Sequence, residues 1–393
     1  MRLPYPVYDA DHHFYDPADS ITRHLPQKWK KDFQFVTVEG RTKLAINGQI
    51  SSYIPNPTFE RVAAPGSHLK YYRAENQEGL SLREMAGPAI VPPPSFRSRD
   101  ARLKAMDEFG VQGALVFPNL FSVIESRMAH DLDLMYAVAH SLNEYIHEEW
   151  GFSRDGRIFA VPVISLADID QAVEELNLLL SRGAKSVALN PGPVPGYRGW
   201  RSPGDTAFDP FWARVNEARI FVSLHASDSP YSAIANMWTG GREWTPFAPD
   251  PMTNCVRTID RVISDTVSAL ICHGVFDRHP DVRIAAIENG AFWVEPLIKV
   301  LNHTYGQMPQ CFQQHPVAAF KKNIYVAPFN EDSFADLARH VDVSRILFGS
   351  DWPHPEGVAQ PLDMLKEMTG LDPAAQAKIM GANLKGLLDG VRD

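Results

Sequence analysis

The sequence predicts an α/β fold of the (β/α)8 TIM-barrel type, and three observations carry that expectation. From Ser98 onward, stretches with helical spacing alternate regularly with short strand-like runs. Several of those runs are unbroken apolar segments, as expected of strands buried on both faces in a parallel sheet surrounded by helices. The same runs end in Asp, His or Glu, and in such a barrel the C-terminal strand ends carry the chemistry. A chain of 393 residues with 45% hydrophobic content is ordinary for one barrel with insertions, so residues 1–393 are expected to form a single domain.

Composition narrows the function. Lys plus Arg is 38 and Asp plus Glu is 47, giving 38 − 47 = −9, and no basic run is present to hold a phosphate backbone. Nucleic acid is therefore not an expected partner. The opening MRLPYPVYDADHHFYD has prolines and acids where a secretion signal needs a basic start and an apolar core, and no apolar run approaches the length of a membrane span. Cys255, Cys272 and Cys311 are odd in number and lack metal-finger spacing, as in the thiols of a reducing compartment. A cytoplasmic protein without a membrane partner is the expectation.

Val7 to Ala10 is the first strand, running into Asp11, His12 and His13 before Pro17 closes the segment. Alternation places Asp9, Asp11 and His13 on one face and His12 on the other, so Asp11 and His13 can grip one ion. A carboxylate with an imidazole suits Zn, Mn or Fe better than Ca. The competing reading is a helix N-cap with a surface histidine.

Residues from about 17 to 99 break the barrel rhythm and read as an insertion over its mouth. FQFVTV, KLAI and QISSY are strands joined in a β-hairpin, with Asn47-Gly48 as a turn. From Pro55 to Pro94 the chain is rich in Pro, Gly and polar residues and is expected to be a long ordered loop that shapes a pocket or a subunit contact.

The regular alternation then gives a helix at DARLKAMDEFG, a strand at Val111 to Pro118, a helix over Met128 to Trp150, a strand at Ile158 to Leu166 and a helix over Asp168 to Leu180. The strand Ser186 to Leu189 ends at Asn190, and the loop after it offers Arg198, Trp200 and Arg201; arginines there suit a substrate carboxylate, or a solvated loop. Ile220 to Leu224 ends at His225, a candidate ligand or a hydrogen-bonded core histidine. The following loop, with Trp238, Gly240-Gly241, Arg242 and Trp244, has the make-up of a lid.

Val256 to Arg278 reads as one helix, which keeps His273 and His279 away from the strand ends. Val282 to Ile287 ends at Glu288, either a functional acid or a partner for a loop arginine. Ile324 to Phe329 is the seventh strand, with a helix over Phe334 to His340 after it; Ala374 to Leu388 is the last helix. Between them, RILFGSDWPHPEG (Arg345 to Gly357) buries Ile346, Leu347 and Phe348 and delivers Asp351, a metal ligand or proton carrier on one reading and a helix N-cap before Pro353 on the other.

Taken together, DADHHFYDP, His225 after IFVSL, VFDRHPDVRIAAIENGAF around Glu288, FGSDWPHPEG and the C-terminal KIMGANLKGLL resemble the metal-dependent amidohydrolase superfamily, in its amidohydrolase-related branch of aminocarboxymuconate semialdehyde decarboxylase-like enzymes. The resemblance implies a distorted barrel and one divalent metal held by Asp11, His13, His225 and Asp351. Two carboxylates and two imidazoles admit Mn²⁺ as well as Zn²⁺. Many members of the branch have His-x-His on the first strand; Asp11-His12-His13 looks closer to the hydroxybenzoate-type decarboxylases. Glu288 stands where those decarboxylases carry a proton-handling histidine.

The implied reaction is nonoxidative decarboxylation of a small aromatic or unsaturated carboxylic acid, with Glu288 and Asp351 as catalytic residues and Glu288 delivering a proton to carbon. The alternative is hydrolysis of a carbonyl substrate by water activated at the metal. A catalytically silent metabolite-binding barrel is the third possibility, and the intact set Asp11, His13, His225 and Asp351 speaks against it. The resemblance also implies a homodimer.

Overall fold

The computed structural model describes residues 3–391 apart from 52, 197–198, 241–247, 257 and 331. Arg198, Gly241, Arg242 and Trp244, offered by the sequence as carboxylate-binding or lid residues, lie outside the described residues.

Two parallel sheets form the centre. The first orders β1 (Tyr8–His13), β5 (Gly113–Phe117) and β6 (Ile158–Ala160); the second orders β7 (Ser186–Leu189), β8 (Phe221–His225), β9 (Arg283–Ile287) and β10 (Ile324–Val326). All residues of these seven strands are buried, because helices cover their outer faces and their inner faces meet at the axis. Single parallel bridges join the sheets. Val163 pairs with Ala188 at one seam; at the other, Ile346 pairs with Val326 and Trp352 with His12. Ala10 N–H donates to Phe348 O at 2.8 Å and Leu347 N–H to Val326 O at 2.9 Å. Eight parallel segments thus follow in chain order and return to β1, the connectivity of a (β/α)8 barrel whose ladder thins to bridges at two seams. Gly349 makes the second seam possible, since a Cβ there would stand 3.0 Å from the Asp11 Cβ.

The predicted strand over Ile158 to Leu166 is shorter than its apolar run, because Pro162 has no N–H for the ladder and β6 stops at Ala160. The helix starting at Asp168 is confirmed in detail: the Asp168 carboxylate accepts from the N–H groups of Asp170 and Gln171 and caps Ile169–Ser181. The single helix expected over Val256 to Arg278 breaks at Gly274, in the left-handed region at φ +71°, which separates Thr258–Cys272 from Val275–Arg278.

The insertion folds as an antiparallel sheet of β2 (Phe33–Val38), β3 (Arg41–Ile46) and β4 (Gln49–Ile50). Asn47-Gly48 forms its predicted turn, and Glu39-Gly40 forms a second one; all four residues have positive φ, as a two-residue hairpin with right-handed strand twist requires. The stretch from Pro55 to Pro94 is more structured than its composition suggests. It contains helices Leu69–Tyr72 and Leu82–Ala86, the second started by a reciprocal cap between Ser81 and Glu84. Ile21, Leu25, Phe33, Leu44 and Ile46 belong to the same buried cluster as the barrel strands. Among the described residues, no helix is long and apolar enough to cross a membrane.

Candidate metal centre

Strand ends of the barrel bring five side chains together. Asp11 and His13 leave β1 on the same side, with Asp11 Oδ1 3.1 Å from His13 Nε2. His225, the last residue of β8, places its Nε2 3.1 Å from His13 Nε2 and 3.5 Å from Asp11 Oδ1. Glu288 follows β9 and sets Oε2 3.3 Å from His225 Nε2 and 3.9 Å from His13 Nε2. Asp351, after the eighth segment, holds Oδ1 3.5 Å from His13 Nε2. The sequence named these five residues; His354 and Glu356, which stand in the neighbouring groups, it did not.

Asp11, His13, His225 and Glu288 have ligand atoms within 4.8 Å of one another; Asp351 approaches the same His13 Nε2 and is grouped with His13 and His354, and also with Glu288, His354 and Glu356. Glu288 is thus as close to a common ion as Asp351. Both residues adopt a left-handed backbone, at φ +59° for Glu288 and φ +54° for Asp351. That conformation is uncommon for residues with a Cβ and is concentrated at functional sites.

The donor atoms fit a divalent cation. His225 Nδ1 lies 2.9 Å from Ala226 O, a contact it can make only as the donor, so its Nε2 turns a lone pair toward the cluster. Oδ1 of Asp11 and both carboxylate oxygens of Asp351 are buried without a hydrogen bond. Buried carboxylate oxygens facing an imidazole lone pair call for a positive charge between them.

Electrostatics agree with that geometry. Burial and the neighbouring Asp351 and Asp11 push Glu288 well above the ordinary carboxylate range, and burial with Asp11 and Glu356 does the same to Asp351. For Asp11, burial acts upward, but the facing His13 and His225 imidazoles outweigh it and the carboxyl is held low. Burial and the nearby His354 keep His13 well below the usual imidazole range, in the neutral form that a ligand needs.

Behind the cluster, a β-bulge shifts the register of β1 between Asp9 and His12, so Asp9 does not share the Asp11 face as simple alternation predicts. Asp9 instead accepts from Asp11 N–H and Ser350 N–H, each at 3.0 Å, and contacts His12 Nε2 at 3.1 Å. It ties β1 to the segment carrying Asp351. Arg102, fully buried between Trp150 and Trp352, donates to His13 O at 2.5 Å and Ser95 O at 2.8 Å.

His354 is the functional candidate that the sequence reading missed. Its ring stacks on His13 at 4.0 Å, with Nδ1 2.7 Å from Asp351 Oδ1 and Nε2 2.7 Å from Asn119 Oδ1. The signal lay in SDWPHPEG: the loop turns back, His354 N–H donating to Asp351 O at 2.9 Å, which returns the third residue after the aspartate to its carboxylate. The discounted histidines are elsewhere, His273 on Ser202 and His279 on Asp209. Trp200 and Trp238 are exposed, and Arg201 is an exposed residue paired through its backbone with Val194.

A parallel α/β barrel with a buried carboxylate and imidazole cluster at its C-terminal strand ends defines a metal-dependent barrel enzyme. The chain belongs to the amidohydrolase family: the family model described as Amidohydrolase matches residues 8–384. A crystal structure of an amidohydrolase from Mycobacterium avium subsp. paratuberculosis is 40% identical, covers 98% of this chain and 98% of its own, and superposes with a TM-score of 0.92. More distant structures share the fold. A dihydroxybenzoic acid decarboxylase from Polaromonas sp., with bound manganese and the inhibitor 2-nitroresorcinol, is 19% identical over 84% of this chain and 95% of its own, with a TM-score of 0.58. The 5-carboxyvanillate decarboxylase of Novosphingobium aromaticivorans, complexed with manganese and 4-hydroxy-3-methoxy-5-nitrobenzoic acid, is 14% identical over 98% and 96%, with a TM-score of 0.63. A search of curated protein sequences finds no match.

Proposed function

We propose that this chain is a nonoxidative decarboxylase of a small aromatic or unsaturated carboxylic acid, with one divalent ion, Mn²⁺ or Zn²⁺, held by Asp11, His13, His225 and Asp351. The observation that carries the reading is the position of Glu288, a partly buried acid 3.3 Å from His225 Nε2 and inside the ligand group rather than beside it. The bound ion would supply Lewis-acid chemistry, chelating the substrate's oxygens and drawing charge from the carbon that loses carbon dioxide.

The chain's own residues do the rest. Burial and the adjacent carboxylates keep the Glu288 proton in place, and it is delivered to the carbon left electron-rich by the departing carbon dioxide. His354, stacked on His13 and in contact with Asp351, fixes both side chains. The manganese-bound aromatic acid decarboxylases among the structural neighbours support this chemistry by likeness of fold. The continuity of the insertion's core with that of the barrel supports a single domain.

Hydrolysis of a carbonyl substrate is the second reading, favoured by the two buried Asp351 oxygens without hydrogen bonds, which are placed to take a proton from an attacking water. A panel of hydroxybenzoic and vinylogous acids, assayed with the Mn²⁺-loaded protein in H₂¹⁸O, separates the two. Carbon dioxide release without ¹⁸O in the organic product supports decarboxylation. A new ¹⁸O-labelled carboxylate with no carbon dioxide overturns it.

A further inference from the structure

The insertion is fastened to the loop that carries Asp351. Gly66 N–H donates to His354 O at 3.3 Å and His68 N–H to Pro355 O at 2.8 Å. A Cβ on Gly66 would stand 3.0 Å from Ala359 N, and its φ of +76° is also one that favours glycine. Arg73 anchors the far end of this segment on Glu367 at 2.7 Å.

The helix between these anchors, Leu69–Tyr72, carries two adjacent tyrosines in different surroundings. The Tyr71 hydroxyl accepts from Asn254 Nδ2 at 2.6 Å. The Tyr72 ring stands perpendicular to Phe329, 5.7 Å between centroids, just beyond the seventh barrel strand. Its hydroxyl makes no hydrogen bond among the described residues. Burial, with the negative charges of Glu356, Glu288 and Asp351 acting in the same direction, pushes the Tyr72 phenol well above its ordinary range.

We propose that Tyr72 is a specificity-determining residue, its hydroxyl donating a hydrogen bond to an anionic oxygen of an aromatic carboxylate bound at the centre while its ring and Phe329 wall the substrate ring. This assignment rests on the decarboxylase reading above. Carboxylates offer an anionic substrate little attraction, and a neutral phenol that no protein group engages supplies a donor where they do not. Aromatic rings pair offset or edge-to-face, so the edges and faces of the Tyr72 and Phe329 pair suit a substrate ring.

The test is the dissociation constant of 2,6-dihydroxybenzoate for the Mn²⁺-loaded protein by titration calorimetry, with metal content measured in every sample. Tyr72→Phe keeps the ring and is expected to weaken binding tenfold or more at unchanged metal content, as for the loss of a hydrogen bond to a charged group. Tyr71→Phe, which alters the same helix, is expected to stay within twofold of wild type. A Tyr72→Phe constant within twofold of wild type, an equal loss in Tyr71→Phe, or a fall in metal content in Tyr72→Phe each overturns the assignment and leaves the decarboxylase reading standing. No binding by wild type, for this acid and for 4-hydroxy-3-methoxy-5-nitrobenzoic acid, removes the aromatic-acid reading and the proposal with it.

Discussion

The Nε2 atoms of His13 and His225 lie 3.1 Å apart, although one residue ends the first strand of the barrel and the other its fifth. Since His225 donates through Nδ1 to Ala226 O, its Nε2 lone pair faces the neighbouring imidazole and the Asp11 carboxylate, and a shared cation relieves both. Removing divalent metal with a chelator is therefore expected to lower the thermal midpoint by several degrees, and adding back Mn²⁺ or Zn²⁺ to restore it. Differential scanning calorimetry reads both; a midpoint indifferent to chelator contradicts the shared ion.

Glu288→Gln keeps the size of the side chain and removes the transferable proton. Turnover is expected to fall by two orders of magnitude or more, while metal content and fold are retained. Full turnover in this variant would eliminate Glu288 as the proton carrier.

Asp9→Ala leaves three buried groups, Asp11 N–H, Ser350 N–H and His12 Nε2, without their acceptor. Urea unfolding is expected to show a loss of about 2–4 kcal/mol, since each unsatisfied buried donor costs about 1–3 kcal/mol and water recovers part of it. Metal affinity is expected to fall about 10- to 100-fold, because Asp9 holds the two ligand-bearing segments together.

Glu125 is buried against Ser165 and Asn190, and burial pushes its carboxyl up to about 7 from an ordinary 4.5. The folded state thus binds the proton more tightly than the unfolded state. Its stabilising contribution is complete below pH 4.5 and is lost as pH rises to about 7. A rise from 4.5 to about 7 corresponds to about 3 kcal/mol. Relative to Glu125→Gln, wild type is expected to lose about that much unfolding free energy between pH 4.5 and pH 8. Parallel pH dependence in the two proteins would show that Glu125 titrates normally.

A Cβ on Gly357 would meet Asp351 O and Ser350 O, both at 2.5 Å, so the loop closes on Asp351 only with glycine there. Gly357→Ala is expected to weaken metal binding far more than it lowers the unfolding midpoint, because the clash falls on the loop and not on the barrel. Equal affinity in wild type and variant would show that the loop can shift without moving Asp351.

The cluster was legible in the sequence because each member ends a short apolar run, and runs such as IFVSL and RIAAI are buried on both faces in the structure as their composition predicts. What alternation could not show was the bulge in β1, which pairs Asp9 with His12 and not with Asp11 and His13; one extra residue reverses every face assignment before it. His354 and Tyr72 were missed for a different reason. Their places are set by a loop that folds back and by backbone bonds between segments almost 300 residues apart, and neither leaves a periodic pattern. The short helices after Pro55 had a local signal, Ser81 and Glu84 in SLRE, which the surrounding Pro and Gly content obscured.

The central claim is that Asp11, His13, His225 and Asp351 hold one divalent ion. Elemental analysis of purified wild type, His225→Ala and Asp351→Asn tests it most directly. About one Mn or Zn per chain in wild type, lost in both folded variants, is the predicted result. A wild-type chain that contains no metal and takes up neither Mn²⁺ nor Zn²⁺ would contradict the account at its root.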